Sequence, residues 1–298
     1  MLMDRRQALQ CGLGVVAAGA LWPAAAQSGG AGPVVASFSL LADMAREIAP
    51  LGSEVTALVG ADSDAHVYAP KPADAKRLAR ADVVVVNGLG FEGWIDRMVK
   101  AAGYGGPVVV ASRGIKPRGG GHHGEDPHAW QDLGLALTYV DNISAAFVQR
   151  WPAQRAQIEQ RSAQYRQKVQ DLDQRIRRDL AAIPAAQRKA ITSHDAFAYF
   201  GAAYGVTFLS PQAWTTHSEP SAAAVGRLIR QIKQSGVKAL FLENISDPRL
   251  IERIAKESGS RVGGTLYSDA LSGPGGPASS YLAMMEHNAR TLVAAFTA

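Results

Sequence analysis

Residues 152–183 read PAQRAQIEQRSAQYRQKVQDLDQRIRRDLAAI and carry one continuous helical pattern. The apolar residues within this polar stretch recur three, four or seven positions apart, at Ile158, Tyr165, Val169, Leu172, Ile176 and Leu180. This spacing places them on one face of a helix. Pro152 suits a first helical turn and Pro184 a stop, so we expect a single helix of about 30 residues, some 45 Å long.

A coiled-coil arm is one interpretation of this helix. The apolar pattern covers only about four heptads, however, which is short for a coiled coil. A helix that packs between two lobes and links them fits the pattern better, because a rigid link permits only small relative movement of the lobes.

On both sides of the helix, short β-branched apolar runs alternate with amphipathic stretches, which is typical of parallel sheets covered by helices. The expected strands are 34–36, 55–59, 83–86, 108–111, 190–192, 206–209, 239–242 and 262–266. Helices are expected at 222–235 and 279–296, among others. The sequence therefore predicts an α/β protein with two lobes of parallel-type sheet, 27–149 and 185–298, joined by one long backbone helix at 150–184.

The composition narrows the possible functions. The 298 residues are 47% hydrophobic and 19% charged, which is enough for one large domain or two ordinary ones. The net charge of +5 is scattered, without a block of like charges, so a nucleic-acid partner is not expected. The single cysteine, Cys11, excludes an internal disulfide and a thiolate-rich zinc site, so a metal site must use His and carboxylate ligands.

The first 26 residues resemble an export signal. Arg5 and Arg6 precede a weakly apolar stretch at 11–22, and residues 24–26 are alanines that suit a cleavage site. The adjacent arginines fit a twin-arginine signal, and a Sec signal can also carry two basic residues. We therefore expect an exported protein whose signal is removed.

Four polar residues follow predicted strands, where ligands bind in open α/β sheets. They are His66, His128, His194 and Asp269. Each alone could be a hydrogen-bonded structural residue, but two come from each half, and their joint placement favours a shared site. Three imidazoles and one carboxylate form a closed tetrahedral ligand set for zinc.

The other histidines have different expected roles. His122 and His123 lie in a Gly-rich loop at 119–126, which suits either transient metal capture or a solvated surface. His217 and His287 are expected to be structural.

Several ordered motifs then indicate a family. They are DAHVYAPKP at 64–72, NG at 87–88, DPHAW at 126–130, SHDAF at 193–197, SEPS at 218–221 and LYSDAL at 266–271. Together they resemble the metal-specific solute-binding proteins (cluster A-I) of ABC importers for zinc and manganese, over nearly the whole chain beyond the signal. The resemblance implies two lobes joined by a long helix, with the metal between them on His66, His128, His194 and Asp269.

Within that family, His at the third ligand position resembles the zinc type, and Glu there the manganese type. The resemblance thus implies a periplasmic zinc receptor that delivers Zn²⁺, its transported ligand, to an ABC-type membrane permease. We also expect a monomer that is not an enzyme, with a periplasmic zinc metallochaperone as a further candidate partner. The chain departs from many zinc members in its short loop around His122 and His123.

Three alternatives stay open. A secreted zinc hydrolase could use three His ligands and an activated water, with Glu219 or Glu243 as a base, although the chain has no HExxH motif. A receptor for manganese or another divalent metal is a second alternative. A receptor for an organic chelate would need aromatic or Arg clamps in place of converging His side chains.

Overall fold

The computed structural model describes residues 31–119, 125–213, 216–217, 220–235, 237 and 239–298. The predicted export signal, the histidines His122 and His123, and Glu219 lie outside the described residues. None of the helices in the described part of the chain combines the length and apolar character needed to span a bilayer.

The first half contains a four-stranded sheet with strand order β2-β1-β3-β4, in which every pairing is parallel. Its strands are β1 (Val34–Phe38), β2 (Val55–Val59), β3 (Val83–Val86) and β4 (Val108–Val110). The connecting helices are α1 (Ser39–Ile48), α2 (Pro72–Ala79) and α3 (Ile95–Ala101). All four valines of β3 are buried, as expected for a central parallel strand covered on both faces.

A short antiparallel pair and two long helices follow. The pair is β5 (Arg118–Gly119) with β6 (Glu125–Asp126), and the helices are α4 (Leu133–Arg150) and α5 (Arg155–Ala181). The apolar face predicted for α5 is buried along its whole length. It contacts α1 and α4 of the first half and, in the second half, the helices Ala198–Tyr204 and Tyr281–Thr297. The face is thus used within this chain, and the coiled-coil interpretation is wrong.

The long helix is shorter than predicted. Pro152–Gln154 form a separate 3₁₀ turn, and the α-helix begins at Arg155 and ends at Ala181. Its 27 residues correspond to about 40 Å at 1.5 Å per residue. The break arises because Trp151 precedes a proline and leaves the helical region, with a φ of −127° and a ψ of 69°. Helices α4 and α5 pack against each other on either side of this corner.

The second half contains another four-stranded parallel sheet, with strand order β10-β9-β7-β8. Its strands are β7 (Lys189–Ile191), β8 (Thr207–Leu209), β9 (Ala239–Glu243) and β10 (Arg261–Leu266). Its helices are α6 (Ala198–Tyr204), α7 (Ala222–Ser235), α8 (Pro248–Ser258) and α9 (Tyr281–Thr297). The expected α/β fold, with two parallel sheets, flanking helices and a long helix, is confirmed.

One hydrophobic core runs through both halves. Its buried members include Val85 of β3, Ile176 of α5, Phe241 of β9 and Leu292 of α9. A smaller core, which includes Leu240 of β9, lies between the second sheet and the helices α7 and α8. Because burial of apolar area is the main favourable contribution to folding, the shared core holds the two sheets in a fixed relationship.

Hydrogen bonds also join the halves beside the ends of the strands. The Ser39 hydroxyl, directly after β1, accepts a hydrogen bond from the backbone N–H of Leu271 at 3.0 Å. Trp130 and Gln131 both donate side-chain N–H groups to the carbonyl of Ser268, at 3.0 and 2.8 Å. Residues 268 and 271 flank Asp269, so these bonds fix the loop that presents that carboxylate.

Candidate metal centre

The structure brings together the four residues singled out in the sequence. His66 lies in the loop after β2, His128 directly before the 3₁₀ turn Ala129–Gln131, His194 after β7 and Asp269 after β10. One ligand atom from each lies within 4.8 Å of the others, and all four residues are buried. Loops from both halves therefore converge on one point.

The side chains in this cluster turn their imidazole nitrogens and carboxylate oxygens toward each other. The Nε2 atoms of His66 and His194 lie 3.3 and 3.2 Å from Asp269 Oδ2. His128 Nε2 lies 3.4 Å from Asp269 Oδ1 and 3.3 Å from His66 Nε2. Both Asp269 oxygens and His194 Nε2 are buried without a hydrogen-bond partner in the described chain. Buried polar atoms without partners are costly, and a cation between them would satisfy all of them.

A second carboxylate holds His128. Asp126 Oδ1 accepts a hydrogen bond from the backbone N–H of His128 at 2.9 Å and lies 2.8 Å from its Nδ1. Asp64 Oδ1 accepts the backbone N–H of His66 in the same way, at 2.8 Å. The Asp-x-His pattern thus occurs twice, and in both copies the aspartate orients the histidine loop. The sequence contained this repeat, which could have indicated a role for Asp126.

Glu243, the last residue of β9, holds His194. Its Oε2 lies 2.7 Å from His194 Nδ1, and both residues are buried. This carboxylate is turned toward the back of the imidazole and is engaged there, which does not suit the role of a free general base. The sequence indicated Glu243 as a candidate base but did not indicate this partner, because Glu243 ends β9 whereas His194 lies in the loop after β7.

Carboxylates determine the protonation of His128. Burial would lower the pKa of His128, but the charges of Asp269 and Asp126 outweigh it and raise the pKa to about 9. His66 behaves differently, because burial lowers its pKa and Asp269 compensates only in part. In the metal-free site, His128 therefore carries a proton at neutral pH, whereas His66 is neutral.

His194 resembles His128. Burial opposes its charge, yet the carboxylates of Glu243 and Asp269 raise its pKa well above the ordinary histidine value. Burial would also raise the pKa of Asp269, but the neighbouring His128 and His194 hold it well below the ordinary range. The cluster is thus a set of buried charges balanced by protons, and a divalent cation could take the place of those protons.

The other candidate histidines do not join the cluster. His287 Nε2 lies 3.0 Å from the carbonyl of Thr265, and its ring packs against Tyr267. His217 is described, and it is not among the side chains that converge on Asp269. The capture role considered for His122 and His123, and the hydrolase role considered for Glu219, concern residues outside the described chain.

Comparison with known proteins identifies the family. The family described as zinc-uptake complex component A periplasmic (ZnuA) matches residues 34–295. The chain belongs to the ZnuA family. Its members are periplasmic metal-binding receptors of ABC importers and not enzymes.

Individual ZnuA-family relatives are named for different metals. The manganese-binding lipoprotein MntA of Halalkalibacterium halodurans is 33% identical over 261 residues, which are 87% of each protein. The iron-binding protein YfeA of Yersinia pestis is 30% identical over 269 residues, 88% of this chain and 86% of YfeA. The periplasmic zinc-binding protein TroA from Treponema pallidum superposes with a TM-score of 0.86 at 29% identity, over 90% of this chain and 99% of TroA. Membership of the ZnuA family therefore identifies a metal receptor without naming its metal.

Proposed function

We propose that this ZnuA-family receptor binds zinc on His66, His128, His194 and Asp269 and delivers it to the membrane permease of an ABC importer. The observation that carries the proposal is the donor set, in which three imidazole nitrogens meet one carboxylate. Imidazole suits zinc, whereas manganese prefers oxygen donors and stands lowest in the divalent affinity series for a nitrogen-rich site.

The spacing of the donor atoms supports the same metal. Zinc bonds of about 2.0–2.1 Å in a tetrahedron place neighbouring donor atoms about 3.4 Å apart. The Nε2 atoms of His66 and His194 lie 3.3 and 3.2 Å from Asp269 Oδ2, and that of His128 lies 3.4 Å from the other oxygen, Oδ1. The four ligand atoms all lie within 4.8 Å of one another, which is compatible with a metal shell of this size. A site with four protein donors is also closed, which suits cargo binding better than catalysis on a metal with an open position.

A receptor for manganese or iron is the second candidate. It is favoured by the names of the relatives MntA and YfeA, which are described as manganese-binding and iron-binding. On this alternative the same four residues would hold the metal, with added water or bidentate Asp269 oxygens completing a larger shell.

The deciding experiment is metal analysis of protein made without an affinity tag, followed by competition titration with chelators for zinc and manganese. We expect one zinc per chain and a zinc Kd at least about 100-fold lower than the manganese Kd. His194→Ala should lose most of the zinc affinity, and His217→Ala is the matched control outside the cluster. If the unaltered protein has a lower Kd for manganese than for zinc, the zinc proposal is wrong and the second candidate takes its place.

The partners follow from this role. The family implies a membrane permease. We further propose that the receptor works as a monomer and that a periplasmic zinc metallochaperone is a candidate donor. Export through a signal at residues 1–26, of the twin-arginine or Sec type, is part of the same proposal. Light scattering of the zinc-loaded protein over a range of concentrations tests the monomer.

A further inference from the structure

Both carboxylate oxygens of Glu243 contact the turn that carries His194. Its Oε1 accepts hydrogen bonds from the backbone N–H groups of Ser193 and His194, at 2.8 and 3.0 Å. The same atom accepts the Ser193 hydroxyl at 2.6 Å, and Oε2 lies 2.7 Å from His194 Nδ1. Every one of these contacts is made to residues 193 and 194.

Because Glu243 is buried, its carboxylate depends on these contacts. Glu243 is 4% exposed, and its charged contact is with His194. A buried carboxylate needs hydrogen bonds and an opposite charge to offset its lost hydration. Residues 193 and 194 supply both, so the position of Glu243 is coupled to the position of one imidazole.

We propose that Glu243 is a positioning residue that fixes His194 as an Nε2 donor for the bound metal. An ionised carboxylate oxygen can only accept, so Oε2 next to Nδ1 requires the ring proton to sit on Nδ1. When His194 gives up the second ring proton that it carries without metal, the lone pair is on Nε2, the atom that lies 3.2 Å from Asp269 Oδ2. A carboxylate behind a metal-binding histidine fixes its tautomer and ring orientation in this way. The inference rests on the proposed function, in which His194 is a ligand.

Glu243→Gln tests the proposal because the amide keeps the size and reverses the polarity of one atom. The amide oxygen can still accept from the two backbone N–H groups, which turns the NH₂ group toward Nδ1. That donor makes Nδ1 the acceptor and places the proton on Nε2, the atom needed for metal. We expect the zinc Kd to rise about 10- to 100-fold.

The matched control is Glu92→Gln. Glu92 is a buried carboxylate that also accepts two backbone N–H groups, from Asn87 and Gly88, and a hydroxyl, from Ser37. It does not belong to the ligand cluster. The same substitution there therefore measures the general effect of a buried amide, and we expect a zinc Kd within about threefold of the unaltered protein.

Long-range ¹H–¹⁵N correlation spectra of ¹⁵N-histidine-labelled, metal-free protein show which imidazole nitrogens carry a proton. A purely structural role of Glu243 would leave this protonation pattern unchanged. Nδ1 of His194 should be protonated in the unaltered protein and unprotonated in Glu243→Gln. An unchanged protonation pattern, a zinc Kd within about threefold of the original, or an equal loss in Glu92→Gln would overturn the proposal. The spectra need no metal, so they judge Glu243 even if the unaltered protein proves not to bind zinc.

Discussion

The Nε2 atoms of His66 and His128 lie 3.3 Å apart, although the two residues belong to separate loops of the first half. Asp269 from the second half reaches both of them. Burial is the largest cause of the lowered pKa of His66, and the charge of His128 lowers it further. At His128 burial is outweighed by the carboxylates of Asp269 and Asp126, which raise the pKa. The metal-free site thus holds its protons on particular rings.

Zinc binding should therefore release protons. His128, with a pKa of about 9, and His194, with a pKa well above the ordinary value, are protonated near neutral pH, and each must lose a proton to bind metal. Since protons compete with zinc below these pKa values, the apparent affinity should rise with pH throughout the range from about 6 to 9 and not level off near 6.5. Calorimetry near pH 7 in buffers of different ionisation enthalpy should show about two protons released per zinc. A binding enthalpy that is the same in every buffer would contradict this.

His194→Glu should narrow the preference for zinc over manganese. The substitution replaces a nitrogen by oxygen donors that suit manganese. In this chain the new carboxylate would also face Glu243, whose Oε2 lies 2.7 Å from the present Nδ1, and the two negative charges would repel. We therefore expect a weak site for both metals in the single variant, and a clearer shift to manganese when Glu243→Gln is added. Competition titrations of both metals check this. If the ratio of the zinc Kd to the manganese Kd stays unchanged in both variants, residue 194 is not a metal ligand.

The sequence predicted the strands and the ends at which the four candidate residues lie, because strand and helix periodicity is a local property. It did not predict α4, and it placed the start of the long helix at Pro152, since the corner at Trp151 depends on how two helices pack. The sequence also could not predict the contact between Glu243 and His194. It depends on β9 lying beside β7, which is a long-range contact that no spacing in the sequence records.

A cross-half contact beside the site should slow metal release. Asp62 donates its backbone N–H to the carbonyl of Leu271 at 2.9 Å, and its carboxylate accepts from Gly273 N and Asn244 Nδ2, at 3.1 and 3.0 Å. Its φ of 50° is left-handed, which asparagine tolerates, so Asp62→Asn alters the hydrogen bonds without straining the backbone. We expect faster zinc dissociation and a loss of stability of about 1 kcal/mol.

Stopped-flow chelation measures that dissociation rate. Ser63→Ala is the control, because the neighbouring Ser63 hydroxyl bonds only locally, to the carbonyl of Ala61. Equal dissociation rates in the two variants would show that the Asp62 contacts do not restrain release.

His122 and His123 should affect the rate of zinc capture more than the affinity. Replacing both with Ser should leave the equilibrium zinc affinity within about tenfold, or roughly 1.4 kcal/mol, because four other donors complete the proposed site. Acquisition of zinc from a second zinc-loaded protein should become slower. Kinetics of such a transfer, followed beside an equilibrium titration, separate the two effects. A loss of affinity as large as that of His128→Ala would instead make one of the two a direct ligand.

Zinc should stabilise the folded protein through the loop that presents Asp269. Without metal, that carboxylate is balanced by the neighbouring imidazoles of His128 and His194, and a divalent cation would take the place of their protons. Binding to the folded state alone contributes about 4 kcal/mol at a thousandfold excess over Kd, which corresponds to a Tm increase of about 10 °C. Hydrogen exchange at 272–277, directly behind Asp269, should slow when zinc is added. His194→Ala should abolish both effects and His217→Ala should retain them, whereas a Tm that zinc leaves unchanged in the unaltered protein would exclude tight binding at this cluster.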